Sequence, residues 1–334
     1  MERGARLSSS TSPLAEHHDL VLLDLDGVVY VGPDAVPHAV EAIQQVGDSV
    51  AYLTNNATRP AADVAEHLRS FGLSLTDEAV VTAGQVVADL VLAEVGAGAP
   101  VLLAGADGMR VALEHVGLRV VTSLEDDPRA VVQGGVIDVR WSELAEASYA
   151  IAAGVPWFAS NPDLTFPTPR GLAPGNGAMV DAVALATGTR PVVAGKPERP
   201  IYDEARRRTG AASPIMVGDR PDTDIDGAIG ADIESLVVLT GVSSLSDVMG
   251  LPEGSRPGFV ATDLRGLHEV HPPVEVADGR ATCGEAVAEL RNGEIMVSGA
   301  EERSVPALRA AVALAWDTRD RGAYLSTLDV RMDA

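Results

Sequence analysis

A doubly wound parallel α/β sheet, interrupted by an inserted α/β cap and followed by a small α/β extension, is the fold class this sequence predicts. Three observations predict it. Short apolar runs alternate with helical stretches along most of the 334 residues, the pattern of βα units around a parallel sheet. Polar residues gather at the C-terminal ends of four of those runs: Asp24 and Asp26; Thr54, Asn55 and Asn56; Lys196; Gly218 and Asp219. In open α/β sheets that edge receives ligands. Residues 83–188, between the second and third of these ends, carry a βα rhythm of their own.

The elements follow in order. Residues 1–18, "MERGARLSSSTSPLAEHH", are polar and lack the apolar segment of a signal peptide, so they read as a disordered tail on a cytoplasmic protein. "DLVLLDLDG" (19–27) is a buried-type strand, "AVEAIQQVG" (39–47) a helix, "SVAYLTNN" (49–56) a strand, and "AADVAEHLRSFG" (61–72) a helix closed by Gly72; residues 19–82 form the first part of the core. The cap, 83–188, reads as helix 83–94, strand 100–104, helix 107–116, strand 130–134, helix 141–153 and strand 155–159, with an acidic loop at 122–130. The core resumes over 189–265: "PVVAGKP" (191–197) as a strand, "RPIYDEARRRTG" (199–210) as a helix, "PIMVGDR" (214–220) as a strand, a helix from 224, and "ESLVVLTG" (234–241) as a strand. Within 266–334, residues 268–280 resemble a linker, followed by helix 284–293, strand 294–299, helix 305–322 and strand 323–332.

Composition excludes several function classes. A net charge of −23 argues against nucleic-acid backbones, which need clustered cations, and suits an anionic substrate held locally by a metal. No run approaches the eighteen apolar residues of a membrane span. A single cysteine, Cys283, supports neither a disulfide framework nor a Cys-based zinc site, and the histidines show no zinc-binding pattern. Lys196 is the sole lysine among 25 cationic residues. A compact ammonium is not interchangeable with a planar guanidinium, so Lys196 is a candidate functional residue.

Asp24 and Asp26, two apart, share one side of a strand. Asp26-Gly27 is also a hairpin-turn signal, so this pair alone leaves two readings open. The four strand ends together suit metal-dependent phosphoryl transfer, which works by positioning and charge neutralisation. Asp24 can be the nucleophile and Asp26 the general acid/base; Thr54 can donate to the phosphoryl group and Lys196 supply a charge; Asp219 can hold Mg2+ and Asp224 orient the ligands around it. Thr54 and the two asparagines can equally cap the next helix. Asp222, Asp224, Asp226 and Gly227 imitate a calcium loop, but its twelfth position is Ile233 rather than Glu. "PGNGAMV" (174–180) reads as a phosphate-cradling turn or as a plain helix cap.

"DLDGVVY", "LTNN", "GKPERPIYDEA" and "VGDRPDTDIDGA" match, in order and spacing, the four motifs of the haloacid dehalogenase superfamily, which the chain resembles over roughly residues 19–240. The "TNN", "GKP" and "GDRPDTDI" forms, with a large insertion before the lysine, are similar to its large-cap p-nitrophenyl phosphatase and phosphoglycolate phosphatase branch. The resemblance implies a Rossmann-like core and a phosphatase in which Asp24 forms a phosphoaspartate and Asp26 serves as acid and then base. It implies Mg2+ on Asp24, the Asp26 carbonyl and Asp219. Thr54 and Lys196 match phosphate-binding positions, and Asn55 and Asn56 the adjoining loop. The stretch 161–177 resembles the branch's substrate-facing loop, which makes Asn161, Asp163, Arg170 and Asn176 the polar candidates for reading the leaving group and Phe166 the residue that closes the pocket.

A small phosphate ester is the expected partner, and a homodimer through the cap is one assembly this organisation allows. The insertion with a C-terminal tail resembles the arrangement of actinobacterial phosphatases acting on glycerol 3-phosphate, which the resemblance makes the first expected substrate; phosphoglycolate and other sugar or nucleotide phosphates follow. The other class that fits is a receiver-like module that accepts a phosphoryl group without turnover, against which the lid-like insertion argues.

Overall fold

The computed structural model describes residues 6–135, 139–168, 170–322 and 330–332. It divides into two compact units, one of Met1–Tyr52, Phe71–Ser74 and Thr209–Ala334, the other of Leu53–Ser70 and Leu75–Arg208. The second takes in the expected insertion together with flanking stretches on both sides. No helix among the described residues is long and apolar enough to cross a membrane.

In the first unit a parallel sheet runs in the order Phe259–Ala261, Glu234–Val238, Pro214–Gly218, Leu20–Leu23 and then Val50–Thr54, whose last two residues fall to the second unit. Its central strands are apolar at every position and buried on both faces, Leu20–Leu23 and Pro214–Gly218 throughout, as a parallel sheet covered on both sides requires. Leu23 pairs with Val217 on one side and Tyr52 on the other. Taken in chain order these strands stand 2-1-3-4-5, so the order reverses beside Leu20–Leu23. That reversal opens a ligand crevice at the C-terminal ends of the strands.

Three expectations are corrected. Residues 6–18 are packed rather than disordered: Leu14–His17 is a helical turn, Leu14 is fully buried, Ser8 N–H donates to Gly258 O and Ser10 N–H to His271 O. The Ser hydroxyls that suggested a solvated tail serve as partners, Ser8 for Glu234 and Ser10 for the His271 N–H. The expected helix 284–293 is a strand, Ala286–Arg291, and the expected linker holds the strand Glu275–Ala277. These belong to an antiparallel meander, Glu275–Ala277, Arg280–Cys283, Ala286–Arg291 and Glu294–Ser298, with Val330–Met332 added in parallel. Ala and Glu favour helix, but burial alternates along Ala286–Arg291. Asp278-Gly279 and Asn292-Gly293 each take two successive positive φ values between paired strands, the tight-hairpin conformation that Asp-Gly and Asn-Gly favour. The proposed strand 323–332 lies outside the described residues up to 329. Helix Val305–Asp320 packs on the meander, and the buried cluster they share includes Ile225, Val237 and Val260 of the central sheet and its flanking turn.

The third correction concerns residues 191–197. The strand there is short, Val192–Val193, and it pairs with Trp157–Ala159 in the second unit's own parallel sheet. That sheet runs Val192–Val193, Trp157–Ala159, Ala130–Gly134, Pro100–Gly105, Arg119–Val121. Helices Trp141–Ala152 and Asn176–Thr187 contribute to its buried cluster, and a hairpin, Thr165–Thr168 with Gly171–Pro174, precedes the second of them.

His271 is fully buried, its Nε2 lies 2.9 Å from Gly266 O, and burial pushes its pKa down to about 4. The unfolded chain takes up this proton near pH 6.5, whereas the native state resists until about pH 4. Native stability should therefore fall by roughly 3 kcal/mol as pH drops through that window. Urea unfolding at several pH values checks this, and His271→Gln should flatten the dependence.

Candidate active site

The first unit gathers three carboxylates. Asp24 follows strand Leu20–Leu23 and its N–H donates to Val217 O at 2.9 Å. Asp219 follows strand Pro214–Gly218, and Asp224 sits in the wide helical turn Pro221–Ile225. All three are buried, Asp219 and Asp224 completely, and one oxygen of each lies within 4.8 Å of the others.

Local sequence explains how they are held. Gly27 has φ +88°, and a Cβ there would stand 2.6 Å from Asp219 Oδ2; one on Gly241 would lie closer still. Val242 N–H donates to that oxygen at 2.6 Å, and Thr240 Oγ1 donates to Gly27 O at 2.7 Å. Asp224 Oδ2 accepts from Arg220 N–H at 3.1 Å, and Gly218 leaves the space its side chain fills. The turn Pro221–Ile225 turns back on Arg220 O, which accepts from both Asp224 and Ile225 N–H.

Asp26 differs: it is exposed and its carboxylate is not one of the three. Val29 and Tyr30 N–H donate to Leu25 O, Gly27 N–H to Tyr30 O, and a small hairpin, Tyr30–Val31 with Asp34–Ala35, follows. The Asp-Gly turn and the strand-end carboxylate thus coexist in one segment.

Three buried negative charges so close are tenable only with a cation or with protons among them. An all-oxygen donor set is the chemistry of a hard divalent cation such as Mg2+. The residues therefore fit that metal, with Asp24, Asp219 and Asp224 as the side chains that could hold it. The sequence had set Asp224 behind the metal ligands; its carboxylate lies with those of Asp24 and Asp219 in the group that could hold the ion.

The remaining candidates lie in the second unit. Thr54 ends strand Val50–Thr54, is buried, and its Oγ1 accepts from Asn56 N–H at 3.0 Å. It caps no helix, since the next one begins at Ala61. Asn56 Oδ1 accepts from Thr58 N–H and Oγ1–H, closing a loop turn. Lys196 is 2% exposed. Asn55 meets its backbone twice, Lys196 N–H donating to Oδ1 at 2.8 Å and Asn55 Nδ2 donating to Lys196 O at 2.9 Å. Asn55 Nδ2 also lies 3.2 Å from the Asp163 carboxylate.

Asn161 and Asn176 are buried and bonded to main chain, Asn161 Nδ2 to Asn55 O and Asn176 Nδ2 to Asn161 O, both at 2.7 Å. These contacts tie Asn176 to the main chain of Asn161 and Asn161 to that of Asn55. Arg170 is exposed in the turn of the hairpin, and the side chain of Phe166 lies outside the described residues. Ser160 and Gly195 were missed. Gly195 N–H donates to Ser160 O at 2.8 Å, and a Cβ on Gly195 would clash with Asn55 Oδ1. The glycine before the lysine was the available signal.

Residues 21–119 match the family model for haloacid dehalogenase-like hydrolases, and 193–267 a second HAD-hydrolase-like model. The D-glycerol 3-phosphate phosphatase of Mycobacterium tuberculosis is 41% identical over 310 residues, 92% of this chain and 88% of that one. A crystal structure of glycerol phosphate phosphatase from the same organism, in complex with magnesium, superposes with TM-score 0.83 at 38% identity, covering 97% of this chain and 96% of that one. The p-nitrophenyl phosphatase of Archaeoglobus fulgidus gives TM-score 0.70 at 29% identity, covering 75% of this chain and 98% of its own.

Gly241→Val should abolish divalent-cation binding, because its side chain needs the volume that Asp219 occupies. Calorimetric titration with Mg2+ measures it, and binding equal to that of the parent chain would mean that Asp219 is not a ligand.

Proposed function

The chain belongs to the haloacid dehalogenase-like hydrolases and is a phosphatase, and from that premise we propose that it is a Mg2+-dependent phosphomonoesterase of small metabolites, with glycerol 3-phosphate as its substrate. The observation that carries the reading is the buried trio Asp24, Asp219 and Asp224, with Asp24 at the end of the strand beside which the sheet order reverses. The substrate rests on the mycobacterial relative, whose similarity extends over nearly the whole chain.

Asp24 is the nucleophile. A carboxylate oxygen attacks phosphorus in line, the P–O bond to the leaving alcohol breaks, and an acyl phosphate remains on Asp24. Asp26, exposed and outside the trio, gives its proton to the departing alkoxide. It then takes one from the water that attacks the acyl phosphate, which releases inorganic phosphate and restores both residues. A bound divalent cation would neutralise charge on the phosphoryl oxygens and the carboxylates. Thr54 donates its O–H to a phosphoryl oxygen, and Lys196 holds another with a compact charge.

Asp24→Asn should lower turnover of p-nitrophenyl phosphate by at least about a thousandfold, since an amide is a poor nucleophile. Chelation by EDTA should abolish turnover and Mg2+ restore it. Full activity in the chelator would exclude the metal-dependent mechanism. Across a panel of phosphate esters, kcat/KM should be highest for glycerol 3-phosphate; a clear preference for phosphoglycolate or a sugar phosphate would replace the substrate and leave the chemistry standing.

A further inference from the structure

We propose that Asn55 is a positioning residue for Lys196, and that Asn161 and Asn176 act through it as a relay of amides from the 161–177 loop. The proposal rests on the phosphatase reading above and gives the asparagines a different task from phosphate or substrate contact.

Lys196 stands in a turn between the strand Val192–Val193 and the helix that starts at Pro200. Neither element fixes its backbone. Its own N–H and C=O instead meet the two ends of one side-chain amide, that of Asn55, at 2.8 and 2.9 Å. A primary amide presents donor and acceptor side by side, as a peptide group does, so it can pair with both backbone groups at once. Gly195 is what permits the approach, because any side chain there would clash with Asn55 Oδ1 and Ser160 O.

Asn55 has little left for a ligand. Oδ1 accepts from Lys196; of the two hydrogens on Nδ2, one serves Lys196 O and the other the Asp163 carboxylate. Its main-chain carbonyl accepts from Asn161, whose own carbonyl accepts from Asn176 in the first turn of helix Asn176–Thr187. Asn161 Oδ1 also accepts from Asp163 N–H at 3.2 Å. The lysine's flexible stem is thus anchored at its root to the loop, and a shift in the loop is passed to the charge that must meet a phosphoryl oxygen.

A double-mutant cycle tests this. Asn55→Ala should lower kcat/KM for p-nitrophenyl phosphate by about tenfold or more. In a Lys196→Ala background the same change should cost less than about twofold, because the residue through which it acts is gone. Equal costs in the two backgrounds would make Asn55 an independent contributor and overturn the relay. Asn161→Asp, which removes the donor to Asn55 O at constant size, runs the same cycle should Asn55→Ala not fold. It should lower kcat/KM for every ester by a common factor, whereas a changed preference among esters would mean that Asn161 reads the leaving group. The cycle is read a second time in the Kd of inorganic phosphate on the magnesium-loaded chain. A parent chain without turnover would sink the phosphatase reading while the phosphate Kd still decides the relay; a parent that neither turns over ester nor binds phosphate overturns both.

Discussion

Like charges buried together set the terms for the first unit. Asp24, Asp219 and Asp224 bring oxygens within 4.8 Å, where each ionised pair repels by about 3–4 kcal/mol at an effective dielectric constant of about 20. A chain carrying a formal charge of −23 gains nothing from further crowding of carboxylates, so their convergence is a feature the rest of the fold must hold in place. Backbone donors meet part of the demand: Val242 N–H on Asp219 and Arg220 N–H on Asp224. A hard divalent cation held by the trio would meet the remainder.

Holding those acids requires absent atoms as much as present ones. Gly27 and Gly241 lie against each other and both press on Asp219 Oδ2, and Gly218 makes room for Asp224. The second unit repeats the device at Gly195, where the missing side chain lets Asn55 reach the backbone of Lys196. In both units a glycine lies beside the candidate site residue. Steric exclusion thus places charges that electrostatics alone would drive apart.

Much of this was legible because it rests on local pattern. Continuous apolar runs ending in Asp or Thr announced the buried parallel strands and their loaded edge, and the lone lysine stood out by composition. What was misread depended on long-range partners. The Ser-rich start looks solvated until Gly258, His271 and Glu234 supply its hydrogen bonds. Ala286–Arg291 has helix-forming residues, and its pairing with Arg280–Cys283 and Glu294–Ser298 overrules that preference. The main-chain bonds of Asn161 and Asn176 were equally hidden, because a side-chain amide carries the same donors whether it faces a ligand or a carbonyl. Residue type does not name those partners; the folded chain does.

The C-terminal extension is a further case in which packing settles what pattern left open. It carries no chemical motif, yet Ala281, Ile295, Val297, Val312 and Leu314 belong to the same buried cluster as Ile225, Val237 and Val260. Ile225 directly follows Asp224 in the wide turn that presents that carboxylate. A turn whose bonding to Arg220 O departs from regular helix geometry has weak intrinsic preference for its shape. Burial of Ile225 in a core extended by the meander and helix Val305–Asp320 fixes it. The extension is therefore continuous, through Ile225, with the turn that carries Asp224, and the packed N-terminal segment joins the same assembly: Arg309 of that helix donates to the carbonyls of Ser8 and Pro272. The two ends of the chain brace the sheet whose strand ends carry the acids.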